Sequence, residues 1–159
     1  IESRHGRMTG TIHVASAYLH LLQSDRPEVR KHLHAKARSY TTNPITAILR
    51  DQIDQRTTKK AKWALEELVA LQKMHKRDRK LVRELRGSFA GAFGMPQFVP
   101  SSYVTWARPQ KKGLVPDLVL AGDAIFSVGN YLRDNGWRKN KTKTHLKSLL
   151  RYNNSEDYA

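Results

Sequence analysis

Apolar side chains recur along most of this chain at the spacing of helices. From residue 59 to about residue 76 they return every three or four positions, with Glu66 and Glu67 outside the apolar stripe, which predicts an amphipathic helix. The same pattern predicts a short turn near residues 81–85 and helices over residues 11–23, 101–106, 123–135 and 144–152. Thr11 and the Ser101-Ser102 pair are the predicted N-caps, and Gly136 follows the predicted end of a helix. Because no alternating run is long enough for a sheet, the chain is predicted to be mostly α.

Residues 24–57 are the least core-like part of the chain. Pro27 suits the first turn of a helix that continues through a strongly basic stretch, and Asn43-Pro44 starts another short segment. Since few large apolar residues lie here, we expect surface helices or a lid.

Residues 87–100 have a different composition. Three glycines and two prolines in this stretch exclude a long regular helix. Glycines also let another chain approach the backbone closely. The pattern alone predicts an irregular loop, and it lacks the Gly-Lys-Ser/Thr signature of a phosphate-binding loop.

Length and charge limit the kinds of function. The 159 residues fit one domain, residues 1–159, and both ends look cut. Twenty-nine Lys and Arg against 14 Asp and Glu give a net charge of +15, which predicts attraction to nucleic acid, anionic lipid or an acidic cell-wall polymer. The absence of cysteine excludes disulfides and thiolate chemistry. No apolar run approaches the ~20 residues of a transmembrane helix.

Several short motifs occur in an order that is typical of one enzyme family. They cover residues 2–7, 87–94, 97–103, 123–131, 136–137 and 151–155. In this order they resemble the membrane-bound lytic transglycosylase B family, whose catalytic domain is helical and similar to goose-type lysozyme. The resemblance extends over most of residues 1–23 and 59–159, and it leaves 24–57 as an insertion without an assigned role.

The resemblance implies the activity and the acid that performs it. Cleaving a glycosidic bond requires a carboxyl group that stays protonated in an apolar pocket, and the resemblance assigns this role to Glu2. From residue type alone Glu2 would be a solvated terminal residue. A free α-amino group beside it would lower its pKa, so we expect preceding residues in the active protein. The implied reaction cleaves the MurNAc-β-1,4-GlcNAc bond and forms 1,6-anhydroMurNAc ends; with water as the acceptor, the enzyme would be a lysozyme.

The resemblance also implies the substrate-binding residues. Ser88 and Gln97 match positions that contact the catalytic carboxylate or the sugar, and Tyr152 and Asn153 match a pair lining the cleft. Three aromatic residues are candidates for stacking on sugars, although residues at such spacing more often belong to the core: Phe98, Tyr103 and Tyr131.

Three departures from the family pattern alter these expectations. Lys59 and Lys60 replace paired arginines that contact the stem peptide or lactyl group, and lysine loses bidentate recognition. Changes at residues 93–96 leave the preferred N-acyl decoration open. Residues 107–122 lack the Asp-rich loop of some members and carry cations instead, so we expect no metal and no cofactor.

We therefore expect the partner to be peptidoglycan. We also expect the protein to be a monomer that acts in the periplasm or outside the cell. Basic clusters at residues 73–86 and 138–151 fit the carboxylates of peptidoglycan. They would also fit nucleic acid, but no nucleic-acid motif is present and we expect none to bind. A non-catalytic module that binds the cell wall or another polyanion stays as an alternative.

Overall fold

The computed structural model describes residues 10–40 and 47–153. Seven α-helices and two short strands lie in these ranges. The helices are α1 (Val14–Leu22), α2 (Pro27–Ser39), α3 (Ala47–Arg77), α4 (Arg79–Glu84), α5 (Pro100–Trp106), α6 (Ala121–Asp134) and α7 (Thr142–Tyr152). The strands are β1 (Ile12–His13) and β2 (Arg86–Gly87), and a 3₁₀ turn (Gln23–Asp25) joins α1 to α2. The mostly α fold is confirmed.

Helix α3 runs through the centre of the fold. Its 31 residues are continuous, so the prediction of a separate short segment before residue 59 is wrong. Residues 47–77 contain neither Gly nor Pro, and nothing in this stretch interrupts the helix. The predicted start at Asn43-Pro44 lies outside the described residues. Helix α2 begins at Pro27 as predicted and has no buried residue, so it is a surface helix.

Helix α1 packs against α3 through two fully buried side chains, Val14 and Tyr18. The Tyr18 ring meets the edge of Trp63, with centroids 5.4 Å apart. The predicted helix start at Thr11 is wrong, because the next two residues form β1 and pair antiparallel with β2.

The pairing of β1 with β2 depends on two glycines. A Cβ on Gly10 would lie 1.7 Å from the carbonyl oxygen of Gly87, so the two segments approach as only glycine permits. Two residues per strand are too few to show as an alternating sequence pattern. The ladder nevertheless sets the start of the Gly-rich loop beside the segment that follows the motif at residues 2–7.

Helix α5 is capped from another helix. The carboxylate of Glu67 in α3 accepts hydrogen bonds from the Ser101 amide (2.8 Å) and the Ser101 hydroxyl (2.7 Å). The expected cap by Ser101-Ser102 is therefore wrong. The expected exposure of Glu67 is also wrong, since the side chain is only 2% exposed.

Helices α6 and α7 close the domain near their predicted positions. Gly136 follows α6 with φ +103°, as its predicted role requires. The Tyr131 hydroxyl of α6 donates to the carbonyl of Arg151 in α7 at 2.7 Å, and the Ser148 hydroxyl donates to the carbonyl of Asn135 at 3.2 Å. These bonds join the two helices.

One carboxylate holds the loop between α5 and α6. Asp123 is buried and accepts hydrogen bonds from the backbone amides of Gln110 and Asp117, both at 2.8 Å. Over the described ranges no three His, Asp or Glu side chains are grouped to hold a metal ion. The same ranges include no helix with the length and hydropathy needed to cross a membrane.

Asp123→Ala is expected to lower the free energy of unfolding by about 3 kcal/mol, because two buried amides lose a charged acceptor. Urea unfolding followed by circular dichroism measures this loss. Asp134→Ala is the matched control, since Asp134 is exposed and forms a surface ion pair with Arg133 at 3.0 Å; it should cost well under 1 kcal/mol. Equal losses in the two variants would contradict the anchoring role of Asp123.

Candidate active site

The Gly-rich loop begins with a tight turn around Ser88. The Ser88 amide donates to the Ala92 carbonyl, and the Gly91 amide donates to the Ser88 carbonyl, both at 2.8 Å. The Ser88 hydroxyl oxygen accepts from the amides of Ala90 (3.3 Å) and Ala92 (3.2 Å). Both of these bonds use the oxygen's lone pairs, so its proton stays available for an acceptor outside the turn.

The Tyr18 ring packs against this turn at Gly91. Gly91 has φ +73°, and a Cβ there would lie 2.3 Å from a carbon of the Tyr18 ring. Within the ranges that the structure describes, the buried Tyr18 hydroxyl has no hydrogen-bond partner. Burial, followed by the negative charge of Glu67, raises the pKa of Tyr18 above its usual range. The ring therefore stays neutral and fixes the position of the turn.

A second tight turn carries Gln97. Phe93 and Phe98 exchange backbone hydrogen bonds of 2.9 and 3.1 Å, which closes the four residues between them into a hairpin. Gln97 has φ +50°, and its side-chain amide nitrogen donates to the Gly94 carbonyl at 2.9 Å. The side chain is exposed, and its amide oxygen has no hydrogen-bond donor among the residues that the structure describes.

Three aromatic rings pack together where the hairpin meets α6 and α7. Phe98 lies 6.0 Å from Tyr131 and 6.2 Å from Tyr152, and the two tyrosine rings are 5.3 Å apart. The Tyr152 hydroxyl donates to the Pro96 carbonyl. The end of α7, with the exposed Asn153 after it, thus packs against the loop.

Tyr103 braces the same hairpin from α5. It is buried, lies 5.6 Å from the ring of Phe93, and donates from its hydroxyl to the Pro116 carbonyl at 2.6 Å. Burial raises the pKa of Tyr103 to about 12. Phe98, Tyr103 and Tyr131 all make core contacts here, which favours the packing role that the sequence left open; sugar stacking stays a prediction.

The structure brings only some of the predicted site residues together. Ser88 and Gln97 lie on consecutive turns of one loop, and Tyr152 contacts that loop. Lys59 and Lys60 are exposed on α3 and line a cavity whose walls include no residue of this loop. Glu2 lies outside the described residues, so its predicted role is not tested.

Two supporting residues were missed by the sequence analysis. Tyr18 was predicted only as part of an apolar stripe, and its contact with Gly91 depends on the tertiary fold. Glu67 gave a signal that could have been used, because it lies three residues after Ala64 and four before Leu71, both buried. An acid on the buried side of a helix requires a partner.

Comparison with protein families identifies the family of this chain. The family model described as the transglycosylase SLT domain matches residues 1–146. The chain belongs to the transglycosylase SLT domain family. The resemblance found in the sequence is confirmed at this level.

The similarity of this SLT domain to a characterised protein is partial. It is 47% identical over 55 residues to the membrane-bound lytic murein transglycosylase B of Escherichia coli (strain K12). The matched segment is 35% of this chain and 15% of that protein. No solved structure matches the SLT domain significantly.

Gly91→Ala is expected to destabilise the SLT domain by about 2–4 kcal/mol, since a left-handed backbone and a clash with Tyr18 act together. The matched control is Gly113→Ala, where φ is +90° but no atom lies within 4 Å. It should cost only about 1–2 kcal/mol. Urea unfolding measures both, and a control as destabilised as Gly91→Ala would remove Tyr18 as the support.

The raised pKa of Tyr103 predicts a stability change in alkali. As pH rises through 10 the unfolded chain loses this proton first, while the folded chain keeps it until about pH 12. The free energy of unfolding should therefore fall over this interval, by about 1 kcal/mol per pH unit from this group. Urea titrations at several pH values should show a shallower fall for Tyr103→Phe. Identical slopes in both proteins would contradict the prediction.

Proposed function

We propose that this SLT domain cleaves the MurNAc-β-1,4-GlcNAc bond of peptidoglycan as a lytic transglycosylase. The observation that carries the proposal is the arrangement of the Gly-rich loop, where the Ser88 proton and the Gln97 amide oxygen are both left for a ligand. Family membership and the partial identity to a lytic murein transglycosylase support the same reaction.

Glu2 is the proposed acid and then base. Its carboxyl proton passes to the glycosidic oxygen as the bond to the muramic anomeric carbon breaks, and the N-acetyl oxygen assists at that carbon. The carboxylate then removes the proton of the sugar's own 6-hydroxyl, and the 6-oxygen attacks the anomeric carbon, displaces the N-acetyl oxygen and closes the 1,6-anhydro ring. The proton balance closes, because the acid that started the cycle is regenerated.

Ser88 is proposed to orient this carboxylate. With both lone pairs engaged by backbone amides, its hydroxyl can act toward the site only as a donor. Such a bond favours the ionised carboxylate, which is the form that the second half of the reaction needs. Gln97 is proposed to accept from an N–H or hydroxyl group of the sugar.

The positive charge is proposed to draw the domain to the cell wall. A net charge of +15 attracts the lactyl and peptide carboxylates of murein and makes the encounter sensitive to salt. Lys59 and Lys60 are proposed to contribute as point charges, because their exposed ammonium groups lack the planar fork of arginine.

Digestion of purified murein, with the products analysed by mass, tests the proposal. The wild type is expected to release muropeptides with 1,6-anhydro ends. Glu2→Gln should reduce turnover at least about 100-fold with an unchanged circular dichroism spectrum. The matched control is Glu66→Gln, which changes an exposed carboxyl of α3 and should keep wild-type turnover.

Other outcomes separate the alternatives. Reducing ends would identify a lysozyme, and no soluble product from the wild type would leave a wall-binding module. Ser88→Ala should lower turnover and Ser88→Thr should restore part of it, because threonine keeps the hydroxyl. Ser16→Ala, an exposed serine of α1, controls for the loss of a hydroxyl elsewhere. Full turnover in Ser88→Ala would remove Ser88 from the site.

A further inference from the structure

The cavity that Lys59 and Lys60 line lies between α2 and α3, away from the Gly-rich loop. Its volume is about 730 Å³, and its walls include no residue from 87–98. Apolar and aromatic side chains form much of its surface: Leu33, Ala37, Tyr40, Ile53 and Trp63. Most of these residues belong to the stretch 24–57, for which the family resemblance provides no role.

The cavity is also lined by four cationic side chains. Lys36, Arg56, Lys59 and Lys60 contribute to its walls, and no Asp or Glu does. In the ranges that the structure describes, none of the four forms an ion pair.

Of the acids in residues 24–57, none lines the cavity, and two of them are paired with cationic or imidazole side chains elsewhere. Asp25 pairs with Arg30, and Asp54 lies 3.0 Å from His34. Because these carboxylates are engaged elsewhere, the positive charge around the cavity has no compensation from them. A ligand with a negative group is therefore favoured.

Two exposed apolar side chains extend this surface, one in the cavity wall (Tyr40) and one outside the cavity (Ile48). Tyr40 at the end of α2 is 77% exposed, and Ile48 in α3 is 71% exposed. Ile48 precedes Lys59 by about three helical turns on the same side of α3. A surface that combines unsatisfied cations, exposed apolar side chains and an apolar cavity is suited to the boundary between headgroups and acyl chains.

We propose that this α2–α3 surface docks on an anionic lipid bilayer. The cations would contact lipid phosphates, while the apolar cavity and the two exposed side chains would contact acyl chains. A murein stem peptide or a nucleic acid satisfies the cations but has no long acyl chain to cover the apolar walls and the exposed side chains, so the combination favours lipid. This inference does not depend on the proposed reaction.

Cosedimentation with vesicles tests the apolar half of the proposal. The wild type should partition into phosphatidylglycerol–phosphatidylcholine vesicles at least about tenfold more strongly than into phosphatidylcholine alone, with salt weakening the binding. Ile48→Ser and Tyr40→Ser should each weaken the partition by about tenfold. The matched control is Ile125→Ser in α6, where the side chain is 70% exposed; it should change the partition less than twofold.

A charge-matched pair tests the electrostatic half. Lys36→Glu and Lys139→Glu change the net charge equally, but only Lys36 lines the cavity. The partition should fall at least about fivefold further for Lys36→Glu. Circular dichroism should be unchanged in every variant, since the substituted side chains are exposed.

Three results would overturn the proposal. Equal effects of Ile48→Ser and Ile125→Ser would show that the apolar surface is not used. Equal effects of the two lysine reversals would show general attraction of a basic protein. Displacement from vesicles by a soluble stem tetrapeptide, with no sensitivity to Ile48→Ser or Tyr40→Ser, would assign the surface to peptide instead.

Discussion

The buried carboxylate of Glu67 is the constraint on which the arrangement of the site depends. A charge that is 2% exposed is stable only when hydrogen bonds replace the lost water. Ser101 provides two, from its amide and its hydroxyl. Because Ser101 lies just after the hairpin that carries Gln97, this contact fixes the end of the Gly-rich loop to the central helix α3.

The other end of the loop is fixed by backbone pairing. Strand β2 pairs with β1, and the Val14 amide donates to the Leu85 carbonyl at 3.1 Å. Between these anchors, Tyr18 supports Gly91 and Tyr152 binds the Pro96 carbonyl. A loop held at both ends and at two points between them keeps its side chains in place before a ligand arrives. This lowers the entropic cost of binding and positioning.

The sequence predicted those elements whose causes are local. Pro27 begins α2, Gly136 follows α6, and the Gly-rich stretch is irregular, because each depends on the conformational preferences of one or two residues. Contacts between distant residues were not predictable in this way. The residues predicted to start α1 instead form β1 and pair with β2, and the cap of α5 comes from Glu67 of another helix. Of the candidate site, Ser88 and Gln97 were predicted through motif order, whereas the contacts that Tyr18 and Glu67 make with the loop and its end arise only on folding.

The same contacts explain why the positive charge of this protein is so available to partners. Several acids are engaged with the protein itself: Glu67 with Ser101, Asp123 with two loop amides, Asp78 with the Leu81 amide, and Asp25 and Asp54 beside α2. Glu67, Asp123 and Asp78 bind neutral groups, so these three carboxylates neutralise no lysine or arginine directly, whereas Asp25 pairs with Arg30.

An acid that caps a helix or holds a loop has a fixed position, whereas most of the cations lie on the surface. The two signs of charge are therefore separated in space as well as unequal in number. At close range, a carboxylate or phosphate from outside the protein is favoured wherever the nearby acids already have partners. Several acidic side chains therefore stabilise the fold, while many basic side chains stay available to bind a polyanion. The side chains that surround each group of basic residues then determine which polyanion is preferred. Around the α2–α3 cavity many of these side chains are apolar.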